Sequence, residues 1–320
     1  MNHSTPILSK APPPPVKARF STGRLLLHLL VLLPIPLIGW LMITHMKPYS
    51  LDKVRRSEMI LIGHALYDRG QGNEALAIWL PILEEENNAQ LQVLAGHILL
   101  KGMKVPKRPD LAVHWYRKAA NQGEMHAMYH LGVQLIKGEG VEKDLHGGLE
   151  WIRKSAEKGM PNAMLEYALL HYTGAGFVTQ DDKTAFYWAS KLAERNHPLG
   201  TSVLGMLYLQ GRGTPPNTPK AISLFERAAD AGSLEAMGNL GALYYNGAAG
   251  VPTDPRRAFR HFKRAAAKKH PQSLYMAGFM LINGQGVAPD SKRGVELLKK
   301  AAALGSEKAA GLLEELGASR

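Results

Sequence analysis

The 320-residue sequence predicts an all-α protein in which antiparallel helix pairs stack into a solenoid behind a single transmembrane helix. Two observations carry this prediction. An apolar stretch without Lys, Arg, Asp or Glu lies near the N-terminus, and the chain after it repeats itself every 36 or 37 residues. A period of this length is typical of repeat proteins, in which each unit is one pair of helices and neighbouring units bury a continuous core.

The apolar stretch runs from Leu25 to Met46 and contains 22 residues. At about 1.5 Å per residue, it is long enough to cross a hydrocarbon core about 30 Å thick. A cleaved signal peptide has a shorter apolar region followed by a site of small residues, whereas Met46 is followed by Lys47 and Pro48. The stretch therefore favours an uncleaved single-pass anchor over a signal peptide or a buried core helix.

The orientation of this anchor is predicted from the residues around it. Residues 1–24 form a basic, proline-rich tail without acidic residues, and similar numbers of Lys and Arg lie on both sides of the anchor. A short basic tail ahead of a long apolar stretch usually stays in the cytoplasm. We therefore expect an inner-membrane protein with its solenoid on the periplasmic side. The four consecutive prolines of the tail, Pro12 to Pro15, favour polyproline II, either as a docking peptide or as a solvated segment.

Composition and charge exclude several classes of function. The absence of cysteine excludes disulfides, thiolate metal sites and a cysteine nucleophile. The net charge of +12 divides into +5 in residues 1–50, −3 in residues 51–89 and +10 in the remainder. No Lys/Arg cluster of the kind that binds nucleic acid stands out in the remainder, and its excess is interpreted as diffuse. This interpretation argues against a nucleic-acid partner.

Three landmarks recur six times with one period. They are a basic residue followed by two small or apolar residues, a pair typified by Leu131-Gly132, and a glycine loop typified by Gly138-x-Gly140. They predict six units, approximately 91–126, 127–162, 163–199, 200–235, 236–272 and 273–308. The basic landmarks are Lys118, Lys154, Lys191, Arg227, Arg264 and Lys300.

Each unit is predicted to contain two helices. The first has apolar residues at helical spacing, as in Ala127, Leu131 and Leu135, and ends at the glycine loop. Glycine inside a helix is unfavourable by about 1 kcal/mol against alanine, so its recurrence there predicts close approach of a neighbouring helix. The second helix begins after a residue suited to capping. These residues are Asp144, Asp181, Asn217, Asp254 and Asp290.

The combined pattern, clearest in residues 127–159, resembles the Sel1-like repeat, a relative of the tetratricopeptide repeat. The third unit departs from it with Tyr167-Ala168 in place of Leu-Gly, and the fourth with Pro215-Pro216 after its glycine loop. The resemblance implies a right-handed α-solenoid and a scaffold role without catalysis. The predicted domains are the tail 1–24, the transmembrane helix 25–46, a tetratricopeptide-like capping helix pair 47–89, the six repeats 90–308 and a C-terminal capping helix 309–320.

The sequence contains no pattern that indicates catalysis, a metal or a cofactor. His126 and His130 are four residues apart, but no third ligand completes a zinc set. The Gly-x-Gly loops are followed by Asp rather than Lys-Ser/Thr, so they are interpreted as turns and not phosphate loops. No G-x-S-x-G motif is present. The sequence therefore predicts a protein that is not an enzyme.

The remaining candidate site is the groove that the first helices of such a solenoid line on its concave side. Several of the predicted groove positions are apolar where an exposed helix face would be charged, which suits an extended or helical peptide. The alternative is that some of these residues pack against the adjacent repeat. The predicted groove residues are Leu94, Ile98, His130, Gln134, Glu166, Leu170, Val203, Leu207, Asn239, Leu243, Met276 and Met280.

The sequence thus predicts a membrane-tethered scaffold or adaptor that binds a protein or peptide partner in this groove. The family resemblance implies a role in the assembly or regulation of an envelope or secretion complex. The alternative is a cell-wall or polysaccharide binding module. Tyr129, Tyr245 and Tyr275 are the aromatic candidates for that alternative, but they do not occupy one position of the repeat.

Overall fold

A computed structural model of the protein describes residues 53–318. These residues form fifteen α-helices and no β-strand beyond an isolated bridge between Ala248 and Val251. The all-α prediction is confirmed. The predicted transmembrane helix at 25–46 and the tail at 1–24 lie outside the described residues. Among the helices from residue 53 onward, none combines the length and the apolar character needed to cross a bilayer.

The helices are numbered in chain order. They are α1 Lys53–Asp68, α2 Gly72–Glu85, α3 Ala89–Lys101, α4 Pro109–Asn121, α5 Met125–Lys137, α6 Leu145–Glu157, α7 Pro161–Thr173, α8 Asp182–Glu194, α9 Pro198–Gln210, α10 Thr218–Asp230, α11 Leu234–Asn246, α12 Pro255–Ala267, α13 Pro271–Asn283, α14 Ser291–Ala303 and α15 Glu307–Glu315.

The described part of the chain divides into two compact units, and the first contains residues 53–87 and 101–107. Its described helices are α1 and α2, which pack around the fully buried indole of Trp79. Gly63 of α1 lies directly against this indole, because a Cβ at position 63 would overlap the ring. Arg56 of α1 also forms an ion pair at 2.7 Å with Glu86, just beyond α2. The contact between the Trp79 indole and Gly63 therefore packs the two helices of this pair together.

The second unit contains residues 88–100 and 108–320 and stacks the helix pairs of the six repeats. Local capping starts most of the second helices. Asp144 accepts a hydrogen bond from the backbone N–H of Gly147 at 2.8 Å, and the other four predicted caps make the equivalent bond. The prediction of these five caps is confirmed. Helix α4 differs, because Arg108 occupies the N-cap position without a side-chain cap bond.

In five of the six repeats, all but the third, a glycine inside the first helix marks the place where the two helices of the repeat approach most closely. A Cβ at Gly241 of α11 would lie 2.6 Å from the ring of Phe262 on α12. A Cβ at Gly132 of α5 would lie 2.7 Å from the backbone oxygen of Gly148 on α6. The expected close approach is confirmed, since either contact leaves no room for a side chain.

The first helices end where left-handed backbone is required. Gly138, Gly174, Gly211 and Gly284 follow α5, α7, α9 and α13 with φ between 65° and 70°. The fifth repeat has a longer loop, in which Gly247 has φ 73° and ψ 171° and the bridge between Ala248 and Val251 closes the turn. The glycine loops are therefore structural turns, as their sequence predicts.

Candidate partner-binding groove

The structure buries five of the twelve predicted groove residues, so their assignment to the groove is corrected. Leu207, for example, is fully buried in a cluster with Ala189 of α8 and Leu224 of α10. Its position faces the interface between one repeat and the next, which is the alternative that the sequence leaves open. The five buried residues are Ile98, Gln134, Leu207, Leu243 and Met280.

The other seven predicted residues are half-buried at the surface of the first helices. His130 stacks on Tyr116 with ring centroids 5.1 Å apart. Asn239 of α11 reaches toward the preceding first helix, where its Nδ2 lies 3.5 Å from Ser202 Oγ. These contacts connect the half-buried positions to neighbouring helices. The seven residues are Leu94, His130, Glu166, Leu170, Val203, Asn239 and Met276.

An open groove of about 580 Å³ crosses the first helices of the last two repeats and α15. It brings together two predicted residues, Asn239 of α11 and Met276 of α13. Its other lining residues are not among the twelve predicted groove residues, although the sequence indicates Tyr245 and Tyr275 as aromatic candidates for the polysaccharide alternative. They include Glu235, Gly238, Ala242, Tyr245, Gln272, Tyr275, Phe279 and Lys308.

The shape of the groove follows from a contrast between small and large residues at equivalent positions. Gly238 and Ala242 on α11 are four residues apart, as are Tyr275 and Phe279 on α13. The small pair lowers one wall, while the rings of Tyr275 and Phe279, with centroids 6.2 Å apart, form the other wall. This contrast between adjacent repeats is the sequence signal that could have located the groove.

The polar groups of the groove are mostly neutral hydrogen-bonding groups. Tyr245 donates its hydroxyl hydrogen to Gln285 Oε1 at 2.9 Å, and His270 Nδ1 lies 2.8 Å from Ser273 Oγ. Glu235 and Lys308 add one charge of each sign at the edge. A groove with apolar walls and a few polar groups is typical of peptide and ligand binding.

The histidines considered as metal ligands have separate structural roles. His126 is exposed and lies 2.8 Å from the carboxylate of Glu124, whereas His130 stacks on Tyr116. Between residues 53 and 318, no three His, Asp or Glu side chains meet in the arrangement of a metal site.

Stacked two-helix units with this period define a repeat-solenoid protein. The family model described as Sel1 repeat matches the chain six times, over about two thirds of its length, and the chain therefore belongs to the Sel1 repeat family. Sel1 repeat proteins are generally scaffolds for protein–protein interaction, and their fold is typically non-enzymatic. The matched residues are 89–124, 126–160, 161–197, 201–233, 234–270 and 271–306.

Two solved structures support the same fold. The chain is similar to a Sel1 repeat protein from Oxalobacter formigenes, with 28% identity and a TM-score of 0.69, over 77% of this chain and 99% of that chain. It is also similar to a protective antigen of uropathogenic Escherichia coli, with 27% identity and a TM-score of 0.64. That match covers 74% of this chain and 51% of the antigen, so the chain spans about half the length of that protein.

Proposed function

We propose that this protein is a membrane-tethered scaffold that binds an extended or helical segment of a partner protein. The single observation that carries the proposal is the groove across α11, α13 and α15, which Tyr275 and Phe279 line together with Gly238 and Ala242. Rings that are partly exposed in a groove supply large contact area with little loss of side-chain freedom. The family membership supports a protein as the partner.

The polar residues of the groove suit a peptide backbone. The amides of Asn239 and Gln272 each offer donors and an acceptor beside the apolar walls. An extended peptide presents unpaired N–H and C=O groups along its length, and its apolar side chains can pack against the exposed faces of the rings. The amide side chains of the groove thus suit the peptide backbone, and its apolar walls suit the apolar side chains of the peptide.

The membrane tether is part of the proposal. The apolar stretch from Leu25 to Met46 would hold the repeats close to other envelope proteins, which raises their effective concentration. A role in assembling or regulating an envelope or secretion complex follows from such a location. Reporter fusions after Arg320 test the topology, with alkaline phosphatase active and β-galactosidase inactive. The opposite pattern would place the repeats in the cytoplasm.

Polysaccharide binding is a second candidate, because Tyr245 and Tyr275 line the same groove. Tyrosine rings can stack on sugar faces. Tyr129 belongs to α5, far along the chain from this groove, and stands beside His130. A soluble glycan or peptidoglycan fragment that competes with the protein partner for the groove would favour this candidate.

The groove is tested by comparing partners captured by the full-length protein from detergent-solubilised membranes. Ala242→Arg adds a long cationic side chain to the groove, and Met276→Glu places a negative charge in it. Tyr187→Glu is the matched control, since Tyr187 is 54% exposed on α8 and lies outside the groove. We expect the wild type and the control to capture the same partner and both groove variants to lose it. A partner retained by both groove variants would overturn the proposal.

A further inference from the structure

The basic charge of the repeats is concentrated in one region. Residues 255–305 contain eleven Lys or Arg and two acidic residues, a net charge of +9, against +12 for the whole chain. The interpretation of the excess as diffuse is therefore wrong. The region includes α12 and α14, the second helices of the last two repeats, so much of the charge lies on helices other than α11, α13 and α15, across which the groove runs.

A second concave site of about 560 Å³ lies among these helices. We refer to it as the basic pocket, and define it by α12 and α14 with α13 beneath them. Leu274, Ala277 and Leu281 of α13 form its floor, while Phe259 of α12 and Leu297 of α14 form its walls. The interior of the basic pocket is therefore apolar and suited to an inserted aliphatic or aromatic side chain.

Four exposed cations surround this apolar interior. They are Lys263 and Lys269 from the α12 side and Arg293 and Lys300 from α14. Arg264 nearby is held 3.2 Å from Asp230. Within the part of the chain that the structure describes, none of the four pocket cations has a carboxylate at ion-pair distance. Their charges are thus available to an anionic partner.

Lys269 carries a second, independent signal. Its φ is +63°, a left-handed conformation that is unfavourable for a side chain with a Cβ. The equivalent position of the other repeats holds glycine or asparagine, both of which tolerate it. In the fifth repeat a lysine takes this conformation at the edge of the basic pocket. Backbone strain of this kind is enriched at functional sites. The equivalent residues are Gly123, Gly159, Asn196, Gly232 and Gly305.

We propose that the basic pocket is a second docking site, for an acidic protein segment that inserts an apolar side chain. Carboxylates of this segment would pair with Lys263, Lys269, Arg293 and Lys300 while a leucine or phenylalanine side chain covers the floor. This site shares α13 with the groove of the proposed function, but the two sites are lined by different residues of that helix, and this proposal does not depend on that function. A scaffold with two such sites could hold two segments at once.

The recessed floor favours a protein segment over other anionic partners. A membrane surface is bound by apolar side chains that project from a ring of cations, whereas Leu274 and Leu281 of this floor are buried, although the lining residue Leu304 is exposed. Single-stranded nucleic acid is bound on exposed aromatic platforms, whereas Leu274, Ala277 and Leu281 make this floor aliphatic. An acidic segment with an apolar residue can pair with the cations and also cover the aliphatic floor.

The test is a selection of random twelve-residue peptides displayed on phage against the full-length protein in a non-ionic detergent. We expect one class of selected peptides to combine several Asp or Glu residues with Leu or Phe. The charge-reversal variant Lys263→Glu/Arg293→Glu should bind a synthetic peptide of this class with an affinity about tenfold lower, or lower still. Ala242→Arg in the groove should leave its affinity unchanged, which separates this site from the groove. Circular dichroism verifies that each variant is folded.

Lys269→Gly gives the sharpest comparison. It relieves the left-handed strain, so the midpoint of thermal unfolding should rise while peptide affinity falls. If Lys269 had only a structural role, the midpoint would rise and the peptide affinity would not change. That result would overturn the role of Lys269 in binding the peptide. The proposal itself is overturned if no acidic peptide class is selected, or if such peptides bind the charge-reversal variant equally well. It is also overturned if only an oligonucleotide or phosphatidylglycerol vesicles bind through these residues.

Discussion

The second and fifth repeats bring their helix pairs together in different ways. In the fifth, Gly241 of α11 faces the ring of Phe262, and Ala258 precedes that ring by one turn of α12. In the second, Gly132 of α5 faces the backbone of Gly148 on α6, so the two backbones touch. The fifth repeat thus places an aromatic ring between its two helices, whereas the second has glycine, which lacks a side chain, on both helices at the contact.

The same two solutions recur along the chain. The first and fourth repeats follow the fifth, with Gly96 against Tyr116 and Gly205 against Phe225. The sixth follows the second, and its Gly278 lies 2.9 Å, measured from an added Cβ, from the backbone oxygen of Gly294. In these five repeats, a second helix with alanine at the first of two contact positions has an aromatic residue four positions later. A second helix with glycine there has an aliphatic residue four positions later. Two positions of the second helix together determine the contact between the helices.

The largest expected difference between the two solutions is the response to a methyl group on the first helix. In Gly132→Ala, the new Cβ meets the backbone oxygen of Gly148, which cannot move without shifting α6. We expect a loss of about 2–3 kcal/mol in the free energy of unfolding, measured by urea denaturation. In Gly241→Ala, the obstacle is the Phe262 ring, which can rotate or shift, and the expected loss is about 1 kcal/mol.

A second variant and a control complete this comparison. Phe262→Leu should recover part of the stability of Gly241→Ala, because the smaller side chain makes room for the methyl group. Gly238→Ala is the matched control in α11, since its nearest neighbour would be 3.5 Å away, at ordinary contact distance. It should stabilise the protein by up to about 1 kcal/mol through helix propensity. Equal losses for Gly132→Ala and Gly241→Ala would show that the two contacts do not differ.

Much of the fold could be predicted because its signals are local. The cap at Asp144 is one side chain bonding to the backbone three residues later, and the turn at Gly138 needs one backbone conformation. Such features depend on few residues, and six repetitions of the period reinforce them. The close approach at Gly132 was predictable for the same reason, although its partner Gly148 was not.

The register of the groove could not be predicted because the helix has two apolar faces. Met276 and Met280 are one turn apart and equally apolar, yet Met276 lines the groove and Met280 is fully buried between repeats. Side chains four residues apart on a helix differ in direction by only about 40°, so their spacing alone could not show which of the two lies at the groove and which lies between the repeats. The basic pocket was missed because the net charge was averaged over too many residues.

The fifth repeat also differs from the second in its expected response to pH. His261 is buried at the position of Trp151, stacked on Tyr244, and its Nδ1 has no hydrogen-bond partner among the described residues. Burial, reinforced by Arg260, Arg264 and Arg257 and opposed by Asp230, lowers the pKa of His261 to about 4.

Because the pKa of His261 is lower in the folded than in the unfolded protein, the unfolded state binds the proton first as the pH falls. Its contribution is therefore fully present above a pH of about 6.5 and is lost progressively toward pH 4. We expect urea denaturation to show a loss of about 2 kcal/mol between pH 7 and pH 4.5 that is absent in His261→Trp. A His261→Trp protein that loses as much stability as the wild type would assign the pH dependence to other groups.

The smallest expected effect concerns the helix starts, where the first repeat differs from the second. Asp144 caps α6, whereas Arg108, with a similar extended backbone at the start of α4, makes no side-chain cap bond and instead pairs with Asp110. Asp144→Ala should cost about 1 kcal/mol, because one N–H of the first turn loses its acceptor. Arg108→Asn should have the opposite sign and raise the urea midpoint slightly, since asparagine can accept that bond. A lower midpoint for Arg108→Asn would show that the pair between Arg108 and Asp110 stabilises α4 more than a cap does.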